Sequence, residues 1–273
     1  MTAAGETAPR KRTRRKISRP VKILCLLWGL LVLFRVGYDF FIYQFGGTVA
    51  VRATPSYDYL IHVPPGYTEF SGPRPLLVFL HGAGEVGLDV KQVGAVDPFG
   101  YAAGKVPRDD FPFIVLSPVV PPNNHGWDAE AVKAMIDDFL RHRGRLKIDT
   151  SRIYLTGFSM GGFGTFEVAQ EYPDFFAAAA PLAGGGNPNL GERYKSLPIR
   201  AYHGDADEVV PYRCSVEMIE AIRAAGNGGA ELVTLPGAGH QIRADVYGNP
   251  EIYRWFLEHQ NEDRIHADTD QSR

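Results

Sequence analysis

The sequence is poor in cysteine, and its two cysteines lie far apart. Cys25 lies in an apolar run near the amino end, and Cys214 stands alone in the rest of the chain. We therefore expect no internal disulfide, even in an oxidising compartment. No cluster of histidines and carboxylates has the spacing of metal ligands, and no sequence repeat is present. These absences exclude a disulfide-stabilised scaffold and a repeat protein, and they predict neither a bound metal nor an organic cofactor.

Negative charge dominates most of the chain, and the positive charge is concentrated at one end. Residues 1–43 hold nine Lys or Arg and two Asp or Glu, a net charge of +7. The remaining residues hold 20 basic and 29 acidic side chains, a net charge of −9. An acidic body argues against nucleic acid as a partner. We interpret the basic cluster instead as a signal that sets the orientation of a following membrane segment.

An uninterrupted apolar run at 23–34 follows the basic cluster. The run is shorter than the about 20 residues that a spanning helix needs, but extension to Tyr43 gives sufficient length. That extension includes Arg35 and Asp39, which are four residues apart and can pair at the membrane interface. We interpret 20–45 as an uncleaved signal anchor that leaves the rest of the chain outside the cytoplasm, as a single-pass membrane protein. The alternatives are a signal peptide that is removed, giving a secreted or periplasmic protein, and a buried or peripheral amphipathic segment.

The 273 residues suffice for one large α/β domain and an appendage. We expect a basic disordered tail at 1–19, the anchor at 20–45, the domain at 46–260 and a polar, disordered tail at 261–273. Continuous apolar runs that alternate with helical patterns indicate a mainly parallel sheet flanked by helices. The expected strands are 75–80, 112–117, 152–156, 176–182, 198–203 and 230–235, after an antiparallel hairpin of 48–53 and 57–63. The expected helices are 128–143, 162–172, 215–225 and 250–258.

A serine between two glycines, at Gly157-Phe158-Ser159-Met160-Gly161, directly follows an apolar strand. Glycines on both sides allow a sharp strand-to-helix turn that exposes the serine hydroxyl. The pattern is weak alone, but a plausible helix follows it. Ser159 is the predicted nucleophile.

A serine nucleophile needs a base and an acid that orients the base, in the chain order serine, acid, histidine. His240 follows a strand and a glycine-rich loop downstream of Ser159, and it is the predicted base. The acid lies in a polar loop that offers Asp205, Asp207 and Glu208, each of which could instead cap the following helix. His203, at the start of that loop, is interpreted as a brace of the acid loop.

The oxyanion of a tetrahedral intermediate needs two backbone amides. One candidate is Met160, the residue after the serine. The other comes from the turn after the strand at 75–80, where the sequence reads His81-Gly82-Ala83-Gly84-Glu85. Ala83 is preferred over Gly82 as the second donor.

Taken together, these segments resemble an α/β-hydrolase. The resemblance is carried by the turn at 80–85, the motif at 157–162, the loop at 203–211 and Gly239-His240, and it covers roughly 57–258. More narrowly, the chain resembles exported bacterial esterases often labelled predicted peptidases. These are related to phospholipase/carboxylesterase, feruloyl-esterase and polyhydroxybutyrate-depolymerase groups.

The resemblance implies further roles. In such families the acid is the aspartate just before Val-Pro, which corresponds to Asp207. Trp127 stands where these esterases line the cleft, although a packing role is an open alternative, and His81 is a second candidate for substrate contact. The glutamate-arginine common in the family after His-Gly-Ala-Gly is Glu85-Val86 here, which leaves substrate contacts around this turn open.

The sequence therefore predicts an extracytoplasmic serine carboxylesterase acting on a small or polymer-linked ester. The alternatives are a peptidase or amidase of the same fold and a membrane-tethered binding protein on a hydrolase scaffold. The sequence does not indicate an oligomeric state.

Overall fold

The computed structural model describes residues 47–51, 57–68, 70–142 and 146–264. The basic tail at 1–19 and the predicted signal anchor at 20–45 lie outside the described residues. Within the described ranges, no helix combines the length and the apolar character that crossing a membrane requires.

The described strands form one eight-stranded sheet in the order β1-β2-β4-β3-β5-β6-β7-β8. β1 pairs with β2 and β2 with β4 in antiparallel fashion, and all other pairs are parallel. The predicted hairpin and mainly parallel sheet are therefore confirmed. The strands are β1 (Gly47–Val51), β2 (Asp58–Val63), β3 (Arg74–Leu80), β4 (Ile114–Val119), β5 (Ile148–Phe158), β6 (Ala178–Leu182), β7 (Ile199–Gly204) and β8 (Ala230–Leu235).

Helices cover both faces of the sheet. All four predicted helices are present with small shifts of their ends, and two helices of five residues were not predicted. Three-residue 3-10 turns and one longer 3-10 segment lie in the connections. The helices are α1 (Pro98–Ala102), α2 (Ala129–His142), α3 (Met160–Glu171), α4 (Arg213–Ala224), α5 (Arg243–Tyr247) and α6 (Pro250–Leu257).

The core consists of two apolar layers, one on each face of the sheet. Alternate residues of β3 enter different layers: Leu76 and Val78 belong to the layer that also holds residues of α2, α3 and α4, whereas Leu77 and Phe79 belong to the layer that holds residues of α5 and α6. All four side chains are fully buried. Burial on both faces explains why this strand is a continuous apolar run rather than an alternating one.

The carboxyl ends of the parallel strands meet at one edge of the sheet. β3 ends before the turn at His81, β5 ends at the residue before Ser159, β7 ends before the loop that holds Asp207, and β8 leads into the loop that holds His240. This edge is where ligands bind in open α/β sheets. The topology thus brings the sequence-predicted site residues to one side of the molecule.

Residues 261–264, at the start of the predicted polar tail, are among the described residues. Residues 262–264 are helical, the amide of Asn261 donates to the Ser151 carbonyl at 2.8 Å, and the guanidinium of Arg264 lies 4.2 Å from the centre of the Phe175 ring. Residues 261 and 264 therefore contact the domain, through a backbone acceptor and an aromatic ring. Residues 265–273 lie outside the described residues.

Candidate active site

Ser159 occupies a strained turn between β5 and α3. Its backbone angles are φ 57° and ψ −115°, a region that residues other than glycine rarely adopt. The Ser159 amide donates to the Leu182 carbonyl of β6 at 2.9 Å, which fixes the turn against the neighbouring strand. Backbone strain of this kind is kept at functional sites when the surrounding structure enforces it.

The two glycines of the motif are required by contacts with neighbouring backbone. A Cβ atom at Gly161 would lie 1.8 Å from the carbonyl oxygen of Leu80, and one at Gly157 would lie 2.3 Å from the carbonyl oxygen of Gly161. No side chain fits at either distance. The close approach of β3 and α3 therefore explains the glycine spacing from which the turn was predicted.

The structure brings Ser159, His240 and Asp207 into one chain of hydrogen bonds. His240 Nε2 lies 3.0 Å from Ser159 Oγ, and His240 Nδ1 lies 2.7 Å from Asp207 Oδ2. Because a carboxylate only accepts hydrogen bonds, Nδ1 carries the proton and Nε2 is left to accept from the serine hydroxyl. This is the tautomer that a general base for Ser159 requires.

Asp207 and Asp205 make different contacts. Asp207 Oδ1 accepts from the amides of Val209 at 2.8 Å and Val210 at 2.9 Å, while its other oxygen faces His240. Asp205 Oδ1 instead accepts from the amide of Gly237 at 2.6 Å, which joins the acid loop to the histidine loop. The geometry therefore favours Asp207 over Asp205 as the partner of His240.

The environment of Asp207 keeps its carboxylate ionised. Burial by itself raises the pKa of Asp207. The hydrogen bonds from His240 and from the amides of Val210 and Val209 outweigh that effect, so the pKa lies below its ordinary value. Asp207 can thus balance a positive charge on His240 without taking up a proton.

His203, on β7, contacts the acid loop, in agreement with its interpretation as a brace of that loop. Its ring is fully buried, with Nε2 3.0 Å from the Val210 carbonyl and 3.3 Å from Asp207 Oδ2. Its Nδ1 lies 2.7 Å from Ser215 Oγ on α4. The loop that holds Asp207 is therefore anchored to both β7 and α4.

The predicted oxyanion donors lie on adjacent turns. Met160 is the first residue of α3, and Ala83 is the first residue of the 3-10 turn Ala83–Glu85, so neither amide has an acceptor within its own helix. A Cβ atom at Gly82 would lie 3.4 Å from the carbonyl oxygen of Phe158, which shows how closely the two turns approach. Their role as oxyanion donors stays a prediction.

His81 and Trp127 are both buried, and Trp127 also lines a pocket with residues of the segments 123–130 and 167–172. His81 is fully buried, and its Nδ1 donates to the Gly82 carbonyl at 2.7 Å while its Nε2 accepts from the Val120 amide at 2.9 Å. Trp127 Nε1 donates to the His81 carbonyl at 3.1 Å. Through these contacts both side chains support the predicted oxyanion turn, and their contact with substrate stays a prediction.

Burial keeps His81 neutral. The loss of hydration lowers the pKa of His81 below its ordinary value of 6.5, and it outweighs the hydrogen bond to Gly82, which acts in the opposite direction. Neutrality agrees with the hydrogen bonds, because Nε2 can accept from the Val120 amide only when it carries no proton.

Sequence reasoning missed Arg243, which lies on α5 three residues after His240. Arg243 Nη1 lies 2.9 Å from Glu85 Oε1 on the predicted oxyanion turn. The signal available in the sequence was the Val86 that follows Glu85 where the resembling family has arginine.

Comparisons with known proteins find a family model and curated relatives that match parts of this chain. The model of the phospholipase/carboxylesterase family matches residues 123–247. Poly(3-hydroxyalkanoate) depolymerase C of Paucimonas lemoignei is 33% identical over 141 residues, which are 45% of this chain and 30% of that protein. In three curated relatives, the matched segment spans 46%, 30% and 16% of the relative's own length, so this chain corresponds to less than half of each.

Solved structures show the same fold. The crystal structure of a thermostable esterase has a TM-score of 0.67 and 29% sequence identity, and the match covers 80% of this chain and 64% of that one. A feruloyl esterase module from Clostridium thermocellum, complexed with sinapinate, has a TM-score of 0.62 at 17% identity over 75% of this chain and 87% of that one, and it supports the fold alone. The chain therefore has the α/β-hydrolase fold, and the proteins that it resembles bear the names of esterases and a depolymerase.

Among the described residues, no group of three or more histidine, cysteine, aspartate or glutamate side chains is arranged to hold a metal ion. The arrangement around Ser159 is instead a hydrogen-bonded chain of a hydroxyl, an imidazole and a carboxylate.

Proposed function

We propose that this protein hydrolyses carboxylic esters, with Ser159 as nucleophile, His240 as general base and Asp207 as the acid that orients the base. The observation that supports the proposal is the hydrogen-bond chain from Ser159 Oγ through His240 to Asp207, with distances of 3.0 and 2.7 Å. A nucleophile and a base within hydrogen-bond reach, with a third group holding the base, is the arrangement that activates a serine hydroxyl.

The proposed reaction has two halves. His240 Nε2 takes the hydroxyl proton as Ser159 Oγ attacks the acyl carbon, and it then gives that proton to the leaving alcohol as the C–O bond breaks. Water next attacks the acyl-enzyme, with His240 again as base, and the acid and the free serine are released. Asp207 stays ionised throughout and stabilises the positive ring of His240.

The amides of Ala83 and Met160 are proposed to bind the oxyanion. Both begin a helix or a 3-10 turn, where free N–H groups favour negative charge. We place the substrate among small or polymer-linked carboxylic esters, because the relatives include a depolymerase of a polyester and an esterase.

The substrate class is tested by comparing p-nitrophenyl acyl esters of increasing chain length with aminoacyl and prolyl p-nitroanilides. Esters are expected to be the better substrates, and Ser159→Ala is expected to lower kcat by on the order of 10⁴-fold or more. The control is Ser196→Ala, which removes an exposed hydroxyl after a 3-10 segment and leaves activity unchanged. Faster amide hydrolysis would indicate a peptidase or amidase. Absence of all hydrolysis, with no labelling of Ser159 by a fluorophosphonate, would indicate a binding protein.

The choice of acid is tested by a pair of amide variants. Asp207→Asn is expected to lower kcat about 10⁴-fold, because an amide no longer selects the correct tautomer of His240. Asp205→Asn keeps an oxygen that can accept from Gly237, so a loss of less than about 10-fold is expected. Equal losses in the two variants would contradict the assignment.

We also propose that 20–45 anchors the protein in the cell membrane and that the hydrolase domain lies outside the cytoplasm. The support is the basic cluster before an apolar segment, which places the amino end on the cytoplasmic side. Fusion of alkaline phosphatase to the carboxyl end, with fractionation of the cells, tests this proposal. Active phosphatase in the membrane fraction is expected. Active but soluble phosphatase would indicate a cleaved signal peptide, and inactive phosphatase would contradict export.

A further inference from the structure

An ion pair connects the predicted oxyanion turn to the segment that carries His240. Arg243 Nη1 lies 2.9 Å from Glu85 Oε1, and the two side chains are only 12% and 13% exposed. The residues are 158 positions apart in the sequence, so the contact exists only in the folded chain. A pair shielded from water in this way is stronger and less screened by salt than a surface pair.

Glu85 ends the 3-10 turn that begins with Ala83. Its Oε2 atom would lie 3.1 Å from a Cβ atom at Gly82, so the carboxylate folds back over the start of the same turn. A displacement of Glu85 therefore also shifts the backbone that carries the Ala83 amide.

Arg243 begins α5 directly after the histidine loop. The Ile242 amide donates to the His240 carbonyl at 2.9 Å, which makes the connection between His240 and α5 short. Arg243 Nη2 donates to Gln241 Oε1 at 3.0 Å, so neighbouring side chains also direct the guanidinium. Arg243 is thus fixed relative to the residue proposed as the base.

A third contact passes through Phe158, the residue before Ser159. The guanidinium of Arg243 lies 4.4 Å from the centre of the Phe158 ring, and that ring lies 4.8 Å from the ring of His240. A cation over an aromatic face is attracted to it, most strongly when water is excluded. Arg243 therefore contacts both turns and lies close to the base.

We infer that Glu85 and Arg243 are positioning residues. They hold the predicted oxyanion turn, residues 81–85, at a fixed position relative to His240 and Ser159. The inference rests on the proposed esterase function. Stabilisation of an oxyanion depends on preorganised donors at hydrogen-bond distance, so a small displacement of the Ala83 amide slows the chemical step. Neither side chain needs to touch the reacting atoms for this effect.

The test compares Glu85→Gln, Arg243→Gln and the double variant, using a p-nitrophenyl ester. Arg243→Gln is expected to lower kcat 10- to 100-fold with less than a threefold change in KM, and Glu85→Gln is expected to lower kcat 3- to 10-fold. The double variant is expected to lose no more than Arg243→Gln, because it removes the carboxylate that the single variant leaves unpaired. Losses that multiply in the double variant would show independent residues and overturn the inference.

The matched control is Arg200→Gln. Arg200 Nε also pairs with a glutamate, Glu231, at 2.6 Å, and its guanidinium also lies over an aromatic ring, 4.8 Å from the centre of Trp255. It lies near the amino end of β7, away from the edge that carries Ser159. Arg200→Gln is expected to lower Tm without a change in kcat. If the Arg243 variant shows the same pattern, the pair has only a structural role and the inference fails.

A second readout isolates the oxyanion turn. Phenylboronic acid forms a tetrahedral adduct with a reactive serine and places an oxygen where the oxyanion forms. Its affinity is expected to fall in parallel with kcat in the Arg243 and Glu85 variants and to stay unchanged in Arg200→Gln. Unchanged affinity in the folded variants would overturn the inference. If Arg243→Gln does not fold, Glu85→Gln, which keeps the size of the side chain, decides the question by both readouts. A wild-type protein that neither hydrolyses the ester nor labels at Ser159 would instead contradict the proposed function.

Discussion

The turn at Ser159 and the turn at Ala83 lie side by side, but different contacts hold them. The serine turn is enforced by backbone: Gly161 lies where a Cβ atom would be 1.8 Å from the Leu80 carbonyl oxygen. The turn at Ala83 is held by side chains from elsewhere in the sequence, namely Trp127 and Arg243. The turn at Ser159 therefore tolerates almost no substitution of its glycines. The turn at Ala83 depends on distant side chains, so substitutions of those side chains can weaken it by degrees.

The largest effect is expected from Gly161→Ala. The added methyl group collides with backbone of β3 that cannot rotate away, so a loss of more than about 4 kcal/mol of folding free energy or a failure to fold is expected. Gly72→Ala is the control, because a Cβ atom there has no neighbour within 4 Å and the residue is exposed. Denaturant unfolding measures both variants. A folded Gly161→Ala variant of wild-type stability would contradict the account of the serine turn.

A smaller effect is expected when the support of the turn at Ala83 is weakened by Trp127→Phe. The change removes the hydrogen bond to the His81 carbonyl and leaves a partly empty space, at a cost of about 2–3 kcal/mol. We also expect kcat to fall about 10-fold, since the turn loses a fixed position. Stability is measured by denaturant unfolding and kcat by ester hydrolysis.

Tyr154→Phe is the control for Trp127→Phe. It removes a bond of similar kind, from the Tyr154 hydroxyl to the His259 carbonyl at 2.8 Å, on the side of α6 rather than at the site. This variant is expected to lose about 1 kcal/mol of stability and to keep its activity. A loss of activity of the same size in both variants would show that the effect does not depend on the turn at Ala83.

Replacing Ser159 by glycine is expected to release the strain of the serine turn. The angles φ 57° and ψ −115° are favourable for glycine and costly for other residues. Both Ser159→Gly and Ser159→Ala lose activity, but Ser159→Gly is expected to be about 1–2 kcal/mol more stable than Ser159→Ala. This difference corresponds to a Tm higher by a few degrees, measured by calorimetry. Equal Tm values would show that the turn stores no strain.

The smallest effect is expected in the pH dependence of stability. Because the pKa of His81 is lowered by folding, the unfolded chain takes up a proton first as the pH falls below 6.5. His81 therefore contributes its stability above pH 6.5 and loses it below, by at most about 1.4 kcal/mol per pH unit. His81→Asn is expected to reduce the slope of unfolding free energy against pH between 6.5 and 5. Identical slopes in the variant and the wild type would contradict a buried neutral His81.

The fold and the serine turn could be predicted from the sequence because their signals are local. Apolar runs separated by helical patterns predicted the parallel sheet, and the glycines at 157 and 161 form a short motif that is visible in the sequence although Gly161 is required by contact with the distant strand β3. The chain order of serine, acid and histidine then selected the acid loop and His240 among the segments that follow strands.

The rest depends on contacts between distant residues. No local pattern indicates that Trp127 donates to the carbonyl of His81 or that Arg243 reaches Glu85. The contacts of Asn261 are hidden in the sequence for the same reason, since its acceptors lie on other parts of the chain. The short helix α5 was missed because five residues carry too little periodicity to be recognised.

The most direct test of the proposed chemistry is detection of the acyl-enzyme. The protein is mixed with p-nitrophenyl acetate, quenched in acid within the first turnovers, and digested for peptide mass spectrometry. We expect one acetyl group on the peptide that contains Ser159 in the wild type and none in His240→Ala. An acetyl group on another residue that forms at the rate of turnover, or full hydrolysis by Ser159→Ala, would contradict the account.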